Sequence, residues 1–205
     1  SGAHGFPLKS PEELNEFIKE LYNGDSFPEE FSAWAEEMKS QVKDKPASSK
    51  PSIPNEKVQV GIASALIEAR KKGLPIVSVS ADLQGSTGVA GFHKEFPEAK
   101  IDVGVAESNM VSTAAGLSKK GFIPIVDTFS QFGVTKGALP LTMANLSEAP
   151  VIAIYSHIGF QDAADGASHQ ALAYFAMSSA IPHTDVHCVT SSAEAHALLT
   201  QALDE

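Results

Sequence analysis

Apolar residues follow two rhythms along the chain, and the change comes near residue 56. Before it, apolar positions are sparse and spaced for helices. Leu14, Phe17, Ile18 and Leu21 recur at i, i+3, i+4 and i+7, the period of an amphipathic helix. Ser10-Pro11-Glu12-Glu13 precedes them as an N-cap, a first-turn proline and an acidic first turn. A second helical pattern covers residues 28–42, with Phe31, Trp34 and Met38 on one face. Residues 45–54, rich in Pro and Ser, read as an extended connection.

After residue 56 short apolar runs alternate with helical patterns. Val58, Ile62, Ala65, Leu66 and Ala69 form a helix face closed by Lys71-Lys72-Gly73, a basic last turn with a glycine stop. The spacing predicts strands at 75–80, 100–105, 122–127, 151–156 and 186–189. It predicts further helices at 108–120, 136–146, 169–180 and 192–203. Strands with few polar positions, alternating with helices, imply an α/β fold: a mostly parallel sheet with helices on both faces, preceded by a helical segment. Cys188 lies in the predicted last strand and is expected to be a buried core thiol.

Charge sharpens this picture. The net charge is -10, from 25 acids and 15 bases. Arg70 is the only arginine, and Lys136 the only base from Gly121 onward. A nucleic-acid or anionic-membrane surface needs clustered basic residues, so neither partner is expected. A single cysteine allows no internal disulfide, which fits a reducing, cytoplasmic setting. No run of roughly 18 or more apolar residues marks a membrane span.

Ligands of open parallel sheets gather beyond the carboxyl ends of the strands, and here those ends are rich in chemistry. Strand one leads into Asp82 and Ser86, strand two into Glu107, strand three into Phe129 and Phe132. Strand four leads into His157, then Asp165 and His169. The nucleotide and hydrolase loops G-x-x-x-x-G-K-[ST], G-x-G-x-x-G and G-x-S-x-G and the zinc motif H-E-x-x-H are all absent. A zinc site at His157 and His169 lacks the tight spacing that would support it.

Three segments, SADLQGST, DVGVAESNMVSTAAGLSKKGFIPIVDTFSQF and SHIGFQDAADGASHQA, occur in the order and spacing of a known family. The chain resembles the pyrimidine-binding domain of the transketolase superfamily of thiamine diphosphate enzymes. Transketolases, including the split forms made of two short subunits, are the most similar branch, and deoxyxylulose-phosphate synthases come second. The opening HGFPL is similar to the HGxPL stretch after the diphosphate-binding domain of single-chain transketolases. The resemblance implies an interdomain linker with two short helices over residues 1–55 and a pyrimidine-binding domain over 56–205.

It also implies roles. Glu107 would hydrogen-bond a ring nitrogen of the cofactor's aminopyrimidine, favouring the imino tautomer that deprotonates the thiazolium. Phe129 and Phe132 would pack around the pyrimidine. His157 and His169 would contact substrate hydroxyls or phosphate and assist proton transfer, with Asp165, Asp82 and Ser86 also on the substrate side. Several positions depart from the family pattern. Ala106 and Ser108 replace Arg and His around the acid, Thr135 replaces a tyrosine, Ile158 an aspartate and Thr87 an asparagine. No arginine stands near Val60-Gly61 to grip a sugar phosphate. The G-D-G…N motif for diphosphate and Mg²⁺ is absent, so no metal ligands are expected in this chain. Diphosphate and Mg²⁺ would then sit on another domain or a partner subunit of a homodimeric enzyme. The expected activity is transfer of a two-carbon ketol unit between sugars or sugar phosphates, with the chain inactive alone. A synthase-like carboligase, an inactive binding module and an unrelated nucleotide-binding domain are the competing readings.

Overall fold

The computed structural model describes residues 29–42, 56–160 and 165–204, together with Glu16. The chain forms two compact units that meet in sequence between Pro54 and Asn55. In the first, the expected second helix is α1 (Glu29–Val42), which opens with Glu29 and Glu30, acids that complement the amino end of a helix. The expected first helix, apart from Glu16, and the connection at 45–54 lie outside the described residues.

The second unit opens with α2 (Val58–Lys71), followed by β1 (Ile76–Ser80). Two short helices, α3 (Gln84–Thr87) and α4 (Ala90–Glu95), fill the crossover to β2 (Lys100–Asp102). Then come α5 (Glu107–Ser118), β3 (Ile123–Phe129), α6 (Ser130–Lys136), α7 (Ala138–Leu146) and β4 (Ile152–Ser156). The last helices are α8 (Tyr174–Ser179) and α9 (Ser192–Asp204). The four strands lie in the order β2-β1-β3-β4, and every pair is parallel.

Alternation along the strands builds two apolar layers. Ile76, Ile125, Ile152 and Ile154 face Leu66 of α2, Phe92 of α4 and Leu199 of α9. Val79 and Val126 face Met110 and Val111 of α5 and Leu141 of α7. The central strands β1 and β3 are almost wholly buried, whereas the edge strand β4 is half-open. Burial on both faces explains why β1 and β3 read as continuous apolar runs.

Four expectations need correction. Residues 186–189 form no strand: the described sheet has four, and this segment has no regular secondary structure. Cys188 is therefore exposed rather than a core thiol, with the Tyr174 hydroxyl 3.7 Å from its sulfur. Val189 alone reaches the first apolar layer. The helix expected over 169–180 starts only at Tyr174, because Ala171 is taken up in a parallel bridge to Ile158. The helix expected over 136–146 is preceded by a second one, α6, which Gly133 and Gly137 made to look like a loop.

Candidate functional site

β3 passes into α6 with no intervening loop. Phe129 ends the strand and caps the helix in extended backbone, at φ -71 and ψ 143, and Phe132 follows one turn later. Their rings are 6.4 Å apart and nearly parallel, at 21°. β4 delivers His157 just beyond its end, and the imidazole lies 4.1 Å from the Phe129 ring. His157 has φ +59, a left-handed conformation that costs a non-glycine residue free energy and is most often kept where it aims a functional group.

The chain then turns back on itself. Ile158 bridges Ala171, and the Gly159 N–H donates to the Ala171 carbonyl at 2.9 Å. This return carries His169 edge-on to both rings, 5.9 Å from Phe129 and 4.9 Å from Phe132. Each imidazole has its Nδ1 held by the preceding serine, Ser156 at 2.8 Å and Ser168 at 2.9 Å. With Nδ1 engaged, Nε2 is the nitrogen left to meet a ligand. Four of the expected residues, Phe129, Phe132, His157 and His169, thus form one aromatic cluster of the edge-and-stack kind that binds flat rings.

Glu107 belongs to a second group. It opens α5 and is only 6% exposed, yet its Oε1 is buried with no hydrogen-bond partner. A carboxylate left this way is costly, so its retention signals a missing donor. The start of α5 is anchored by Ser108, whose hydroxyl donates to the Lys136 carbonyl at 2.5 Å. Tyr155 of β4 joins this group, its hydroxyl buried and likewise without a partner. Burial raises its phenol far above the ordinary value, and the nearby Glu107 charge raises it further. Tyr155 lies outside the sequence motifs, and a lone tyrosine in VIAIYS is its only signal there.

The remaining expected residues are spread more widely. Asp82 sits in the first loop with φ +62. Ser86 lies half-buried in α3, where its carbonyl accepts from the Gln59 amide at 3.2 Å. Asp165 is exposed at the start of the returning segment. Below the first loop lies a polar group that sequence reasoning missed. Asp127 accepts from Ser80 at 3.0 Å and Thr87 at 2.7 Å. Burial raises its carboxyl to about 6 against the lowering effect of those two hydroxyls, and Asp102 adds to the rise. His93 Nε2 meets the Ser78 hydroxyl at 2.7 Å. Burial, with help from Lys100 and against Asp102, lowers its imidazole to about 4. An acid inside the otherwise apolar IPIVDTF strand was the signal for Asp127. Among the described residues no three His, Cys, Asp or Glu side chains converge to hold a metal ion. No described helix is long and apolar enough to cross a membrane.

With this geometry in place, comparison with known proteins gives a consistent result. Residues 57–205 match the family model described as the transketolase pyrimidine-binding domain. The chain is 41% identical, over 60% of its length, to a protein of Methanocaldococcus jannaschii described as a transketolase C-terminal section, of which it spans 39%. It is 29% identical, over 88% of its length, to the 1-deoxy-D-xylulose-5-phosphate synthase of Mycobacterium tuberculosis, of which it spans 28%. Among solved structures, a split-gene transketolase described as an inactive beta4 tetramer superposes with a TM-score of 0.64. That match has 30% identity and covers 74% of this chain and 49% of the other. The transketolase of Campylobacter jejuni, at 21% identity and a TM-score of 0.55, shares the fold, over 72% of this chain and 24% of its own. The chain therefore spans less than half the length of each of these relatives.

Proposed function

Because the chain belongs to the family of transketolase pyrimidine-binding domains, we propose that it supplies the aminopyrimidine-binding half-site of a transketolase-like enzyme dependent on thiamine diphosphate. The assembled enzyme moves a two-carbon ketol unit from a ketose to an aldose. The observation that carries this reading is the buried, unpartnered Oε1 of Glu107 at the amino end of α5. A heteroaromatic ring nitrogen bearing a proton is the kind of donor such an atom lacks. The aromatic cluster beside the ends of β3 and β4 supplies walls for a flat ring. The residues present fit the group.

When bound, thiamine diphosphate supplies an acidic ring carbon that acts as the nucleophile toward the ketose carbonyl. Glu107 would hold a proton at the pyrimidine ring nitrogen and so favour the imino form of the neighbouring amino group, the form able to accept a proton. Phe129 and Phe132 orient the ring and exclude water. His157 and His169, with Nδ1 held by serine, present Nε2 to substrate hydroxyls and carry protons there. Asp82, Ser86 and Asp165 line the substrate side. Diphosphate and Mg²⁺ are held by a diphosphate-binding domain elsewhere in the enzyme or on a partner subunit. The residue ranges 1–55 and 56–205 act as interdomain linker and pyrimidine-binding domain of a cytoplasmic homodimer. With Arg70 the sole arginine, a phosphorylated substrate must rely on other groups.

The test is Glu107→Gln in the enzyme assembled with its diphosphate-binding partner. Turnover should fall by about a hundred- to ten-thousandfold with the fold intact by circular dichroism, and unchanged turnover would defeat the assignment. The chain without its partner should show no ketol transfer. The relatives named as deoxyxylulose-phosphate synthases favour a second reading, a carboligase. Comparing pyruvate with ketose donors in the same assay separates the two.

A further inference from the structure

One buried acid has no role in the reading above, and it lies beneath the segment that carries Asp82 and Ser86. A single carboxylate oxygen, Asp127 Oδ2, accepts from the Ser80 hydroxyl at 3.0 Å and from the Thr87 hydroxyl at 2.7 Å. All three residues are buried. Ser80 ends β1 and Thr87 ends α3, so one atom gathers both ends of the segment 80–87. Between them stand Asp82, in left-handed backbone at φ +62, and Ser86. Each hydroxyl has a second acceptor inside the segment at 3.2 Å, Gln84 Oε1 for Ser80 and the Leu83 carbonyl for Thr87. A hydroxyl has one proton to give, and a charged acceptor takes it in preference. Burial raises the Asp127 carboxyl only to about 6, so it is ionised in mildly alkaline solution. On β3, Asp127 shares its face with Phe129, two residues on and about 7 Å along the strand.

We propose that Asp127 is a positioning residue for the substrate side of the site: its carboxylate pins the segment 80–87 to β3 and so sets Asp82 and Ser86 against the Phe129 ring. The root of the segment has a further tie to β3 that does not depend on the side chain, the Ala81 N–H to the Asp127 carbonyl at 3.3 Å. The far end is joined to β3 through the Thr87 hydroxyl, while the Gln59 amide of α2 donates to the Ser86 carbonyl. Loss of the carboxylate therefore loosens the end that carries Ser86 and leaves the root in place. The hydroxyls fall back on Gln84 and Leu83, and Ser86 meets substrate from a wider range of positions. That weakens ground-state and transition-state binding alike. The consequence for substrate rests on the placement of Asp82 and Ser86 above; the pin itself does not.

The test runs on two levels. In the full chain, hydrogen exchange read by mass spectrometry should quicken over residues 83–88 in Asp127→Leu, by about tenfold or more, as expected for a lost hydrogen bond to a charged group. Exchange in α5 should not change. Asp127→Asn keeps an oxygen that accepts both hydroxyls and should keep the slow exchange. Thr87→Val removes one donor at nearly constant shape, and gives the same reading should Asp127→Leu fail to fold. Slow exchange in both Asp127→Leu and Thr87→Val overturns the pin. In the assembled enzyme each of these two should raise KM for the ketose about tenfold with kcat steady. Combining them should add little to Asp127→Leu alone, because the same bond is removed twice. Ser78→Ala breaks a buried bond of the same 2.7 Å length on the same strand, to His93, and should leave KM alone. An equal rise in Ser78→Ala, or full additivity of the pair, means general loosening of the fold and overturns the proposal. If exchange quickens while KM holds, Asp82 and Ser86 are not on the substrate side and the positioning role falls. If KM rises while Glu107→Gln retains turnover, the assignment of Glu107 fails and the role of Asp127 stands.

Discussion

The two faces of the sheet bury polar groups in different ways. On the face covered by α2, α4 and α9, Ser78 meets His93, and Ser80 and Thr87 both donate to Asp127. On that face only the second atoms of two bonded side chains, His93 Nδ1 and Asp127 Oδ1, go without a partner, whereas on the face covered by α5 and α7 Glu107 Oε1, Tyr155 Oη and Thr128 Oγ1 are buried with none. Hydrogen-bonded polar groups fasten one element to another: Asp127 ties the end of β1 and the short helix α3 to β3. A side chain buried with no partner fastens nothing and carries an uncompensated desolvation cost, which a ligand can relieve. The first face is accordingly expected to govern stability and the second to govern turnover.

That division can be broken or sharpened in three ways. The largest effect is expected at the closest approach on the first face, where a Cβ on Gly61 of α2 would collide with the backbone carbonyl of Ser192 in α9. Backbone cannot yield as a side-chain tip does. Gly61→Ala should cost about 3 kcal/mol or more, read as a lowered urea midpoint; an unchanged midpoint would mean that the α2–α9 seam is loose.

Next comes the pH response of Asp127 and His93, which oppose each other. Asp127 is raised in the folded state to about 6. Its stabilising contribution is complete below its unfolded value near 3.8 and is lost as pH rises through about 6. His93 is lowered to about 4 from 6.5, so its contribution is complete above 6.5 and is lost as pH falls through about 4. Each shift is worth up to about 3 kcal/mol, and the two offset one another between these limits. Asp127→Asn removes one side of the balance. It should stabilise the chain at pH 7 and leave it losing stability faster than the parent as pH falls from 6.5 to 4. Parallel urea curves for parent and variant across that range would refute the pairing of effects.

The smallest effect on stability is expected from the residue proposed to meet the cofactor. Glu107→Gln removes the charge of a carboxylate whose buried oxygen has no partner, so stability should hold or rise by about 1 kcal/mol. A large loss would show that Glu107 also supports the fold, and the contrast between the faces would fail at its central residue.

Much of this arrangement was legible in the chain, and the failures share a cause. β1, β3 and β4 stand out because strands in a covered parallel sheet carry continuous apolar runs. Residues 186–189 imitate such a run but find no pairing edge, leaving Cys188 in the open. The short helix at Ser130–Lys136 was hidden by a glycine that serves close approach rather than a turn, as the closeness of Gly133 to the Tyr155 ring shows. In the candidate site, the three ordered motifs pointed to Glu107, Phe129, Phe132, His157 and His169. Asp127, His93 and Tyr155 were missed because what distinguishes them is the neighbour across the sheet or beneath a helix. A single sequence records a residue type at such positions but not the residue opposite.

The seat of Tyr155 on Gly133 carries an evolutionary consequence. A ring whose Cζ would stand 2.5 Å from a new Cβ locks two positions, twenty-two residues apart in numbering, into joint inheritance. Any lineage that gains a side chain at 133 must first shrink residue 155, and thereby surrender its buried hydroxyl. Drift at 133 alone is closed, and related chains with a side chain there should lack the tyrosine ring.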